Sequence, residues 1–120
     1  MPISRILIIA LLGLMVVPAG ASAHAILVAS TPAAGASVPS GKVDMTFRYN
    51  SRIDRARSRL TLTAPDHSQL VLKIIPAGSP DTLQASTELD KPGGYVVRWQ
   101  VLAIDGHITR GDVPFTVMGH

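Results

Sequence analysis

From Tyr95 to Ile104 the sequence alternates without a break. Tyr95, Val97, Trp99, Val101 and Ala103 share one side; Val96, Arg98, Gln100 and Leu102 share the other. A period of two sustained this long describes a strand with one buried face and excludes an amphipathic helix. Turn signals bracket it, Asp90-Lys91-Pro92-Gly93-Gly94 before and Asp105-Gly106-His107 after.

The same reading extends outward. Residues 43–49 alternate with Val43, Met45, Phe47 and Tyr49 on one face, and 113–117 with Val113, Phe115 and Val117. Shorter strands are expected at 25–30, 59–64 with Leu60 and Leu62 inward, 70–75 and 82–87, all separated by Pro, Gly, Asp and Ser clusters. No stretch after residue 24 sustains a helical period. About seven strands predict an all-β Greek-key β-sandwich or barrel, with Phe47, Tyr95, Trp99 and Phe115 as its aromatic core.

The first residues obey different rules. Arg5 precedes an uncharged apolar run from Ile6 to Val17, then Pro18-Ala19-Gly20 and the small-x-small sequence Ala21-Ser22-Ala23. This is the pattern of a cleavable export signal, 1–23, and the run is shorter than the roughly 20 residues that cross a bilayer. Cleavage makes His24 the first residue of a single domain, 24–120, which has no later membrane span and is expected to be soluble. The mature chain loses only Arg5 of 11 basic residues against 8 acidic ones, an excess too small and too dispersed to predict nucleic-acid binding. There is no cysteine, so stability rests on packing, and thiolate sites, blue copper included, are excluded.

Three features exceed a plain sandwich. A histidine at a new N-terminus offers its α-amine and ring Nδ1 as a chelating pair, a donor set suited to Cu(II). Asp105 and His107, one glycine apart, lie on the same side of an extended segment, and Gly106 relieves the crowding between them. His24, Asp105 and His107 together would supply three nitrogens and one oxygen; the plain alternative is a chance first residue and an ordinary Asp-Gly turn. Arg48, Arg52, Arg55, Arg57 and Arg59, with Asp54 among them, read as a solvated edge and loop or as a dock for an acidic partner or an anionic membrane surface. His67 and His120 read as solvated. No Ser-His-Asp pattern, phosphate-binding loop or carboxylate pair supports an enzyme.

Taken in order, His24-Ala25 after Ala-Ser-Ala, Ser30-Thr31-Pro32-Ala33-Ala34-Gly35-Ala36, 43–47, 94–101, Asp105-Gly106-His107, Gly111 and Phe115-Thr116-Val117 resemble the CopC family of periplasmic copper-resistance proteins. The resemblance implies an immunoglobulin-like or cupredoxin-like barrel in the periplasm. It further implies a copper carrier or buffer that holds Cu(II) through the amine and Nδ1 of His24, the imidazole of His107 and a carboxylate oxygen of Asp105, and that hands copper to an inner-membrane partner of CopD type. Two departures stand out. Only Met45 and Met118 remain in the mature chain, so a methionine Cu(I) site is not expected, and Tyr49 stands where relatives often carry an acid. Two other readings stay open: a metal-free immunoglobulin-like interaction module that works through an exposed strand edge, and a small histidine-brace copper oxidase.

Overall fold

The computed structural model describes residues 24–119; the expected signal segment 1–23 and His120 lie outside the described residues. Eight strands form two sheets: β1 Leu27–Thr31, β2 Ser37–Pro39, β3 Gly41–Tyr49, β4 Ile53–Thr63, β5 Gln69–Leu72, β6 Thr82–Leu89, β7 Gly93–Ala103 and β8 Ile108–Met118. One sheet runs β1-β3-β6 and the other β2-β8-β7-β4-β5. Among the described residues there is no helix.

The alternation in the sequence decides which faces meet. Val43, Met45, Phe47 and Tyr49 of β3 are buried against Leu60 and Leu62 of β4, the Tyr95 to Ala103 series of β7 and Val113, Phe115 and Val117 of β8. Tyr95 stacks on Phe115 with centroids 5.7 Å apart, and Tyr49 meets Trp99 edge-on at 5.3 Å. Each large side chain buried to this degree contributes about 1.5–3 kcal/mol of transfer free energy, the main favourable term in a chain without cross-links.

Four details differ from the sequence reading. β2 is a three-residue strand running parallel to β8; one side chain facing the core, Val38, is too little for a period. β8 starts at Ile108, five residues earlier than expected, because its inward positions there are Thr109 and Gly111. β5 stops at Leu72; Ile75 instead bridges to Gln84 of the other sheet, so 73–75 crosses between sheets. β4 begins at Ile53, and the arginine stretch expected as edge and loop is largely strand: Arg55, Arg57 and Arg59 all lie within β4. The edge half of that expectation holds for Arg55, Arg57 and Arg59, because β5 pairs only with Leu60 to Thr63; Arg52 lies in the loop before β4, and Arg48, contrary to it, sits in β3 between β1 and β6.

The registers define one pole of the sandwich. Leu27 opposite Tyr49, Ile53 opposite Ala103 and Leu102 opposite Ile108 bring the start of β1, the turn from β3 to β4 and the turn from β7 to β8 to the same end.

Candidate metal centre

At this pole the chain around residue 24 is tied to both sheets. Ala25 is wholly buried, and its carbonyl accepts a hydrogen bond from Thr109 Oγ1 of β8 at 2.7 Å. The Ile26 N–H donates to Asn50 Oδ1 at 2.8 Å, and the Asn50 N–H donates back to the Ile26 carbonyl at 3.0 Å. Residue 24 is therefore held beside the β7–β8 turn although it is 83 positions away in sequence.

The turn itself is built by its own backbone. The Gly106 N–H donates to the Ala103 carbonyl at 2.9 Å, and the Ala103 N–H to the His107 carbonyl at 2.8 Å. Gly106 has φ of +93°, a conformation that glycine adopts without a Cβ penalty. Asp105 and His107 thus meet across a tight turn and not, as their spacing suggested, along an extended segment. The Asp105 carboxylate accepts the His107 N–H at Oδ1, 3.2 Å, while Oδ2 lies 3.1 Å from His107 Nδ1. The donating His107 backbone N–H, aided by the His107 ring and the His24 side chain, holds the Asp105 carboxyl below its usual range.

The His24 ring closes the group, its centroid 4.7 Å from that of His107 at 74°. All three residues singled out from the sequence are therefore neighbours. His24 and His107 are exposed, and the Asp105 side chain is one-third exposed. The Asp105 carboxylate stands beside Nδ1, so Nε2 lies on the other edge of the ring; a carboxylate so placed is a common way of orienting a ligating imidazole. Among the described residues, no group of three or more His, Cys, Asp or Glu side chains is already arranged to hold a metal ion. The donor types, imidazole and carboxylate without thiolate, fit a nitrogen and oxygen site. A side-chain count leaves out the backbone nitrogen of residue 24, which becomes a donor only as a free amine.

Sequence reasoning missed Asn50 and Thr109, which position this pole. Neither carries a signal, since each acts only through backbone groups of a distant segment. Met45 is buried in the core and Met118 is exposed on β8. His67 lies exposed in its turn with φ of 69°.

The fold and this pole define a class: small all-β sandwiches that gather two histidines and a carboxylate at one end of the sandwich. Residues 27–118 match the CopC domain. The chain is 33% identical to protein YobA of Escherichia coli K12 over 100 residues, covering 79% of each. It is 32% identical to copper resistance protein C of Pseudomonas syringae pv. tomato over 110 residues, covering 86% of this chain and 87% of that one. Among solved structures it is similar to CopC from Methylosinus trichosporium OB3b, with a TM-score of 0.74 and 28% identity over 81% of this chain and 96% of that one. PcoC, a methionine-rich copper resistance protein from Escherichia coli, gives 0.65 and 26% over 80% and 100%. The chain belongs to the CopC family.

Proposed function

We propose that this protein is a periplasmic Cu(II) carrier or buffer acting in copper resistance. It takes one ion at the pole formed by His24, Asp105 and His107, and it catalyses no reaction. The observation that carries this reading is the meeting of His24 with the Asp105–His107 pair, from opposite ends of the chain, in a family whose relatives are named for copper resistance. In this reading the export signal 1–23 is removed, the freed amine and Nδ1 of His24 chelate the ion, His107 adds an imidazole nitrogen, and Asp105 supplies an oxygen or fixes the His107 ring.

An exposed site suits exchange more than permanent storage. Ile26, Ile104 and Ile108, beside the three ligands in sequence, are 56%, 73% and 49% exposed. They offer apolar surface to a protein that receives the ion, of which an inner-membrane protein of CopD type is the proposed example.

The test is a Cu(II) titration of the secreted protein, its first residue established by mass spectrometry, against a form carrying one extra residue before His24. Electron paramagnetic resonance should give a one-to-one, tetragonal, nitrogen-rich signal that weakens sharply in the extended form. Equal, weak binding by both forms would remove the terminal-histidine site.

A further inference from the structure

A second feature lies along β4. Between Asp54, opposite Leu102, and Arg59, opposite Gln100, β4 uses three more residues than its partner β7. Such a bulge bends a strand and re-aims its side chains. It is stitched by Ser58, whose hydroxyl donates to the Asp54 carbonyl at 2.7 Å and accepts the Leu102 N–H at 3.3 Å. On the other side of β4, β5 pairs only from Leu60 onward. Where a neighbouring strand would lie there is a groove of about 500 Å³.

The lining joins Arg55 and Arg59 of β4 with Val71 and Leu72 of β5 and with Ile74 and Pro76 beyond it. Leu60 and Leu72 point into the core, so Arg59 and Val71 face outward, whereas half-buried Ile74 packs against the core. Arg55 is fixed by the carbonyls of Ser79 and Thr82, its Nη2 2.8 Å from the Ser79 oxygen. Those bonds position the guanidinium but do not neutralise it. Arg57 pairs with Asp54, whereas among the described residues no carboxylate forms a salt bridge with Arg55 or Arg59. Val71, on the same outward face as Arg59, is 61% exposed, an uncovered apolar residue on the edge strand.

We propose that this groove docks an extended acidic segment of a partner protein, which lies along the open edge of β4 with carboxylates outward toward Arg59 and apolar side chains inward toward Leu72 and Ile74. An extended chain sends successive side chains to opposite sides, so alternating acidic and apolar residues meet the outward arginine and the inward apolar lining at once. Strand addition at an open edge supplies the main-chain hydrogen bonds, and the two guanidinium groups select for acid and speed encounter. A flat anionic bilayer fits less well, because these arginines line a concavity instead of a face. The inference does not depend on copper at the histidine pole.

The probe is a fluorescein-labelled octapeptide of alternating glutamate and valine, titrated into the secreted protein, with an alternating lysine and valine peptide and phosphatidylglycerol vesicles as comparisons. Saturable binding of the glutamate peptide below about 1 mM, amide shifts confined to 54–59 and 70–76, and about tenfold weaker binding by Arg59→Glu are the expected results. Arg59→Lys should retain most of the affinity, and unchanged amide shifts elsewhere in Arg59→Glu establish that the fold is intact. The proposal is overturned by absent saturation, equal binding of the lysine peptide or shifts mapped elsewhere. It is likewise overturned by Arg59-dependent vesicle binding without peptide binding, or by self-association that Arg59→Glu abolishes.

Discussion

Gly111 occupies an inward position of β8 opposite Trp99, and a Cβ built on it would lie 2.4 Å from the indole Cζ2 and 2.6 Å from Cε2. No real Cβ sits that close, so alanine at 111 must displace the ring. The ring has little room to move, since its other contacts include Tyr49 edge-on in a packed core. Gly111→Ala should therefore lower the unfolding free energy by roughly 1–3 kcal/mol in urea titration and alter the emission of the single tryptophan. An unchanged midpoint and emission would mean that the indole can shift freely. The glycine looks like a weak point in a strand when read alone; its place is set by the residue across the ladder.

At the scale of elements, the β4 bulge depends on one hydroxyl. Ser58→Ala removes the acceptor that the Leu102 N–H uses and the donor to the Asp54 carbonyl. Leaving a half-buried backbone group without a partner costs about 1–3 kcal/mol, and the loss should be local: faster amide exchange at Leu102 and its neighbours, with 93–97 of β7 unaffected. Uniform acceleration along β7 would refute that assignment. β4 also indicates where the sequence was legible. Strands with one buried face, 43–49, 95–103 and 113–117, declare themselves because water and core impose a period of two. Residues 53–59 do not, since the bulge breaks the period and the exposed edge tolerates Arg55, Ala56 and Arg57 in succession. The site divides the same way. His24, Asp105 and His107 are legible as chemistry, but Asn50 and Thr109, which bring residue 24 to the β7–β8 turn, are ordinary polar residues whose role exists only once the sheets have formed.

The whole molecule relies on one apolar core without disulfides, and that core encloses two ionisable phenols. Tyr49 is 1% exposed, and its hydroxyl has no hydrogen-bond partner in the structure; burial pushes its ionisation well above the usual phenol range. Tyr95 is shifted the same way, first by burial and then by the Asp66 and Asp90 carboxylates, while its hydroxyl donates to the Lys91 carbonyl at 2.8 Å. The folded state thus holds both phenolic protons more tightly than the unfolded chain does. Their contribution is complete below the unfolded value of about 10 and is lost as pH rises above it, with a limiting slope of about 1.4 kcal/mol per pH unit for Tyr49. Urea midpoints should accordingly fall above that pH, and the tyrosinate absorbance of Tyr49, read as the difference from Tyr49→Phe, should appear together with unfolding instead of ahead of it. In Tyr49→Phe the alkaline decline should be shallower. Stability at neutral pH should stay level or rise slightly, because the substitution removes a buried hydroxyl with no partner. A loss of more than about 1 kcal/mol at neutral pH would show that the Tyr49 hydroxyl has a partner, such as a buried water molecule, that holds the pole to the core.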